Sequence, residues 1–256
     1  MLYADFSNTM FMSKEVAMET NKGGRFLSRR SFLGFSAASA LAIITAFPEI
    51  SCAETRETGL REEDTMAYEA KDFSKLLGME GFSDTLLNNH FTLYKGYVTN
   101  TNKALETLDA MLKGDKMGYE YGEVKRRLGW EFNGMRLHEL YFGNMGGKAA
   151  LDKNGKLGKK LAADFGSYEA WEKDFKAVGA MRGIGWVALY QDTTNGKLIN
   201  FWINEHDVGH PSGCAPILIM DVFEHAFMTD YQLKRADYIA AFFKNINWAE
   251  VEKRMK

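Results

Sequence analysis

The chain has 256 residues, 46% of them hydrophobic and 26% charged, with a formal net charge of −2. This is ordinary globular composition with room for one or two small domains, and the charge argues against a general nucleic-acid binder. Cys52 and Cys214 lie far apart and offer no thiolate cluster, and no internal repeat recurs at a fixed period.

Residues 1–53 read as an address rather than as part of a fold. Lys22, Arg25, Arg29 and Arg30 precede an apolar run from Phe32 to Phe47. The run is short for a membrane span, and Ser51-Cys52-Ala53 offers a small-residue cleavage site. Ser28-Arg29-Arg30-Ser31-Phe32-Leu33 resembles a twin-arginine export signal, with Met12 or Met18 as alternative starts. The expectation is an exported, periplasmic protein that keeps no stable membrane span after processing. The competing readings are a buried or membrane-anchoring helix and, less favoured, a lipid anchor on Cys52. Residues 54–70 are charged and aperiodic, and are expected to be a solvated linker.

A helical hairpin is expected over residues 71–150. From Ser83 to Leu112, Leu86, His90, Leu93, Tyr94, Tyr97, Thr101, Leu105, Leu108 and Leu112 recur at helical spacing, with Ser83 as N-cap and Gly114 as stop. A second helix runs from about Tyr121 to Tyr141, with Val124, Leu128, Glu131, Met135, His138 and Phe142 on one face. Gly134 lies one turn before His138, where glycine costs about 1 kcal/mol relative to alanine, so it is expected to leave room for something. A lone His on an apolar face, as at His90 or His138, is more often a core residue than a ligand. The glycine- and lysine-rich stretch from Gly143 to Lys160 is expected to be a link.

Residues 151–256 read as an α/β domain. Ser167 caps a helix to about Ala180. Strands follow at Trp186 to Gln191, Lys197 to Asn204 and Pro216 to Met220, with Thr194-Asn195-Gly196 as a hairpin turn in which Asn195 and Gly196 both take positive φ. Glu205 to Gly213 is a loop holding His206 and His210. Helices are expected at about Phe227 to Lys234, Ala236 to Phe243 and Trp248 to Met255. The fold class is therefore α+β: an antiparallel helical hairpin, then an α/β domain with a three-stranded antiparallel sheet.

The third strand ends in Asp221, with His225 four residues on. Asp-x-x-x-His alone fits a helix N-cap with an unrelated His at least as well as two metal ligands. His90 and His138 added to that pair make a possible three-His, one-Asp site, which suits iron or manganese.

The order His90, His138, Asp221-x-x-x-His225 resembles the iron/manganese superoxide dismutases over roughly residues 75–256. Tyr97-Val98-Thr99-Asn100, Asp164-Phe165-Gly166-Ser167, Gly183-Ile184-Gly185-Trp186, Asp221 to Ala226 and Asn245-Ile246-Asn247-Trp248 carry the resemblance. It implies one Fe or Mn ion per chain held by His90, His138, Asp221 and His225, with superoxide as substrate and dioxygen and hydrogen peroxide as products. It also implies a homodimer through Glu224 and His225, and a catalytic role for Tyr97 as the gateway tyrosine.

Several positions depart from the family pattern. Phe223 stands for a usual Trp, Met228 for a Tyr and Tyr94 for a His. Family members place the gateway Tyr eight residues after the first ligand; here the step from His90 to Tyr97 is seven, which predicts a regular helix without a π-bulge. A metal-facing Gln is absent, with Gly134 at one of its usual positions. His206 is expected to take the Gln's role, bridging Tyr97 and solvent at the metal, with His210 and Glu205 as competitors. Its imidazole is expected to titrate near neutral pH. A di-iron carboxylate protein would need Glu-x-x-His pairs, and no His has Glu three residues before it. The remaining alternative is a metal-free or low-activity relative acting as a structural or binding module.

Overall fold

The computed structural model describes residues 67–256. The expected export signal over residues 1–53 and most of the expected linker lie outside the described residues. At its end Ala67, Glu69 and Ala70 are exposed and Tyr68 is half-buried. Tyr68 exchanges backbone hydrogen bonds of 2.9 Å with the Asn102 side chain, and its ring meets Phe132 edge-on. An aromatic residue in a charged stretch found an apolar seam to cover.

Two long helices form the first half: α1 (Asp84–Lys113) and α2 (Tyr119–Gly143). Ser83 caps α1, its hydroxyl accepting from Leu86 N at 3.0 Å. Tyr94 meets Glu139 and Tyr97 meets Gly134, so the two helices run antiparallel. α1 is α-helical throughout, with no π turn, as the seven-residue step predicts. Its buried face differs in detail from the expected one. Leu87, Phe91, Val98 and Ala104 are buried, whereas Leu93, Leu105 and Leu112 are exposed. Straight three- and four-residue steps drift around a long helix, and α1 has apolar residues to spare on its flank.

The stretch expected as a link is only partly one. α3 (Lys156–Phe165) follows Gly155, burying Leu157, Gly158 and Leu161 while its lysines face outward. Two glycines and a run of lysines masked a short amphipathic helix. α4 (Tyr168–Gly179) begins at the expected cap, with Ser167 Oγ accepting from Ala170 N at 3.0 Å.

The sheet has β1 (Gly185–Asp192) at its centre, flanked by β2 (Leu198–Asn204) and β3 (Cys214–Asp221), all antiparallel. β1 is buried from Gly185 through Gln191, as a central strand covered on both faces must be. The β1–β2 turn is not the two-residue form expected from Asn-Gly. Gly196 has φ 76°, Asn195 does not have positive φ, and Gly196 N donates to Asp192 O at 2.8 Å across a longer loop. Asn195 instead uses Oδ1 to accept from Lys197 N. After a 3-10 turn at Glu224–Ala226 come α5 (Met228–Tyr231), α6 (Arg235–Lys244) and α7 (Trp248–Lys253). α5 is one turn long, shorter than expected, because Gln232 turns to φ 49°.

Buried polar groups tie the halves together. Asn144, fully buried at the end of α2, accepts from Ile219 N at 3.0 Å and donates to Ile219 O at 3.1 Å. Tyr238 on α6 donates to the main-chain oxygen of Asp221 at 2.6 Å and shares a hydroxyl contact of 3.1 Å with Tyr141. The end of β3 is thus held against both α2 and α6. Among the described residues, no helix is long and apolar enough to cross a membrane.

Candidate metal centre

Asp221 Oδ2 is the focus of the site. The Nε2 atoms of His225, His90 and His138 lie 3.1, 3.2 and 3.8 Å from it. Ligating atoms of these four residues lie within 4.8 Å of one another. His90 comes from α1, His138 from α2, Asp221 from the last position of β3, and His225 from the 3-10 turn that follows. Asp221 reads as neither a free helix cap nor a core residue: its Oδ1 accepts from Phe223 N at 2.8 Å, which fixes the carboxylate and leaves Oδ2 turned inward.

His90, His138 and Asp221 are each at most 1% exposed. A buried polar atom without a partner costs about 1–3 kcal/mol, yet Nε2 of His90 and of His138 have none. His138 donates from Nδ1 to Gly134 O at 2.6 Å, which makes Nε2 the ring's lone-pair nitrogen. Two donors held about 2.1 Å from one ion at angles of 90–120° lie roughly 3.0–3.6 Å apart. The His225 and His90 spacings from Oδ2 fall in that range and the His138 spacing of 3.8 Å lies just beyond it, and three nitrogens with one carboxylate oxygen suit iron or manganese.

Charge follows the same arrangement. Burial alone would push the Asp221 carboxyl up, but the imidazoles of His225 and His90 outweigh it and hold the group well below the usual carboxylate range. Burial, joined by the neighbouring His90, drives the His138 pKa well down, so its ring is neutral, the form that binds metal.

Tyr97 and His206 meet beside this cluster. His206 Nε2 lies 2.7 Å from the Tyr97 hydroxyl, and the Tyr97 ring stacks on His138 at 5.1 Å. A tight turn delivers His206. Glu205 adopts φ 53° at the end of β2, and Asn204 and Val208 pair across the turn, so His206 folds back under the sheet and is completely buried. His210 does not reach the site. It bonds the Tyr190 hydroxyl through Nδ1 and the main-chain oxygen of His206 through Nε2, both at 2.8 Å, and so braces the turn. The expected titration of His206 near neutral pH does not hold. Burial holds its pKa down at about 4, so the ring stays neutral.

Residues that sequence reasoning underused complete the wall. Trp186 donates from Nε1 to His206 Nδ1 at 3.0 Å. Trp130 meets the His206 ring edge-on at 4.8 Å. Gly134 does leave room, but for the tyrosine: a Cβ there would sit 2.5 Å from Tyr97 Cδ1.

Residues 153–254 match the family model for the C-terminal domain of iron/manganese superoxide dismutases. A superoxide dismutase [Fe] from Aquifex pyrophilus is 38% identical over 196 residues, covering 73% of this chain and 91% of the relative. The chain belongs to the iron/manganese superoxide dismutases. A superoxide dismutase [Mn] 2 from Haloferax volcanii is 36% identical over 162 residues, covering 63% of this chain and 80% of the relative. A superoxide dismutase [Fe] from Cupriavidus metallidurans is 34% identical over 194 residues, covering 74% and 96%. Within the family, the substituted positions have physical counterparts. Phe223 stacks on His225 at 5.1 Å and tilts against His206 at 4.8 Å, filling the site wall without an indole N–H. Tyr94 is buried in the helical seam, accepting from Lys71 N at 2.9 Å and donating to Glu139 at 3.2 Å. Met228 is 39% exposed and offers no hydroxyl.

Proposed function

We propose that this chain converts superoxide to dioxygen and hydrogen peroxide at one Fe or Mn ion held by His90, His138, Asp221 and His225. The observation that carries this is the convergence of three imidazole nitrogens on Asp221 Oδ2, two of them buried with no other partner. A bound Fe or Mn supplies the one-electron exchange that dismutation needs. Three neutral imidazoles and one carboxylate leave the ion with net positive charge, which favours an anionic substrate. Tyr97 and His206 handle protons. Trp186, a donor only, makes His206 Nδ1 the acceptor, so Nε2 carries the hydrogen and donates it to the Tyr97 oxygen. The Tyr97 hydroxyl hydrogen is then free to point at substrate, while His206 holds the Tyr97 oxygen as a donor. Elemental analysis with a pulse-radiolysis assay tests the assignment. Close to one Fe or Mn per chain with rapid loss of superoxide is expected; metal-free, inactive protein would favour a binding module instead.

The active unit is proposed to be a homodimer through Glu224 and His225. Glu224 is exposed at the surface next to His225, whose side chain is 23% exposed, so both can meet a partner chain. Light scattering should give twice the chain mass, and Glu224→Ala should lower it; a monomeric wild type would refute the interface.

The chain is further proposed to be exported to the periplasm by its twin-arginine-type signal. Arg29-Arg30 before the Phe32 to Phe47 run supports this, and a route for folded proteins suits a metal inserted beforehand. Replacing both arginines by lysine should trap the precursor inside the cell, and N-terminal sequencing should find cleavage near Ala53. Unchanged export of the double variant would sink the idea.

A further inference from the structure

A cleft of about 530 Å³ forms where α2, β3, α7 and the segment before α1 meet, and none of the four candidate ligands, Tyr97 or His206 lines it. That volume is typical of small-molecule sites. Phe73, Leu140 and Pro216 give the cleft an apolar wall. Lys71, Arg136 and Arg254 bring three cations to it, and Glu139 and Glu250 two carboxylates.

The Glu139 carboxylate is fully engaged. Its Oε1 accepts from the Tyr94 hydroxyl at 3.2 Å, and its Oε2 accepts from Lys71 at 2.9 Å and from Arg136 at 2.8 Å. Arg254 has no such partner. Its guanidinium donates to Asn144 Oδ1 and Ile217 O at 3.2 Å and to Leu140 O at 3.0 Å. These bonds cap the end of α2 and tie it to β3, but all three acceptors are neutral, and a guanidinium has donors to spare beyond them. Among the described residues, no carboxylate lies within ion-pairing distance of Arg254. Glu250, one turn back on α7, lies 3.5 Å from Lys253 instead. Burial pulls the Arg254 pKa down, and Glu250 only partly offsets this. A guanidinium stays charged in a protein, so a half-buried cation without a counter-charge beside an apolar cleft favours an anion there.

We propose that this cleft binds a small organic carboxylate, with Arg254 as its charge partner and Phe73, Leu140 and Pro216 as the seat of its apolar body. One planar guanidinium matches the two oxygens of a carboxylate, whereas a phosphate dianion would leave excess charge against the apolar wall. The site is separate from the candidate metal centre, and the proposal does not depend on the dismutase reading.

The test uses the metal-loaded full chain with benzoate, a planar carboxylate, its neutral counterpart benzamide, and inorganic phosphate. Isothermal titration calorimetry gives a Kd for each on wild type, Arg254→Lys, Arg254→Gln and Glu250→Gln, with thermal unfolding as a check on folding. Wild type should bind benzoate at least about 10-fold more tightly than benzamide or phosphate, the scale of one charge-assisted pair. Arg254→Lys should weaken benzoate about 3- to 10-fold, and Arg254→Gln by more. Glu250→Gln should tighten it about 2- to 5-fold, because a competing carboxylate is gone. If Arg254→Gln does not fold, Arg254→Lys and Glu250→Gln decide the matter. Crystals soaked in benzoate should show its carboxylate on the Arg254 guanidinium. Benzoate density only at the metal centre, equal affinities for benzoate and benzamide, or affinities that ignore both Arg254→Lys and Glu250→Gln would overturn the proposal. Phosphate binding as tightly as benzoate would overturn the choice of a carboxylate.

Discussion

Trp186 and His206 are locked in one relative orientation: the indole N–H reaches Nδ1 over 3.0 Å, and the far side of the same imidazole reaches the Tyr97 hydroxyl over 2.7 Å. An indole cannot accept, so the direction of both bonds is set without reference to any other group. A glutamine amide offers the same pairing of one acceptor and one donor.

His206→Ala should therefore keep its metal while losing about 10- to 100-fold in rate, the usual cost of removing a group that orients a metal site. His206→Gln should recover part of it. Because burial holds the His206 ring neutral down to a pKa of about 4, wild type and His206→Gln should show parallel pH profiles from about pH 5.5 to 8. Divergent profiles in that window, or full activity in His206→Ala, would refute the assignment. His210→Ala should be milder but measurable, since it loosens the main-chain oxygen of His206.

Gly134 faces the Tyr97 ring with no room for a methyl group. Gly134→Ala should push Tyr97 off His138 or bend α2, at a cost of about 1–3 kcal/mol from overpacking. Thermal unfolding and rate should both fall, with metal retained. A Gly134→Ala variant as stable and active as wild type would show that the tyrosine yields freely.

Much of this was legible in the sequence because it rests on periodicity and end signals. Ser83 and Ser167 both cap helices as their positions suggest, and an apolar run ending in Asp221 did mark a buried carboxylate with partners. The seven-residue step from His90 to Tyr97 foretold a regular α1. Contacts between distant segments were less readable. Nothing local in Gly134 says that its neighbour is Tyr97, and nothing in Trp186 says that its N–H ends on His206. α3 was missed because Gly155 and Gly158 look like breakers, although Gly158 is needed where a Cβ would sit 2.5 Å from Asp152 O. The Asn195-Gly196 turn took a longer form because Asp192 and Asn195 side chains bond the loop backbone themselves.

Glu139 predicts a pH dependence of stability away from the metal. It is 8% exposed, and burial by itself would raise its pKa, but bonds from Lys71 at 2.9 Å and Arg136 at 2.8 Å win and lower it from 4.5. A carboxyl depressed on folding contributes stability that is fully present above its unfolded value and lost as pH falls through the folded one. Glu139→Gln should cost about 1–3 kcal/mol at pH 7 and little below pH 3 to 4. Denaturant unfolding across pH checks this; an equal loss at pH 3 and pH 7 would show that shape, not charge, is what Glu139 contributes.

Removal of Asp221 should be the most damaging change. Its Oδ2 is the point on which three imidazoles converge, while its main-chain oxygen and Oδ1 are already held by Tyr238 and Phe223. The backbone anchors do not depend on the carboxylate's inner oxygen, so Asp221→Asn can keep the end of β3 in place while weakening the charge that holds a cation. Asp221→Ala and His138→Ala should lose most bound metal and nearly all activity, and Asp221→Asn should bind it more weakly. A ligand that binds only the folded state stabilises it by about 2.7 kcal/mol at 100 times its Kd. Wild type should therefore melt well above its chelator-treated form, and in Asp221→Ala that gap should close. Calorimetry before and after chelation, beside elemental analysis, measures both effects. Full metal occupancy in Asp221→Ala, or a wild type whose melting ignores chelation, would refute the ligand set.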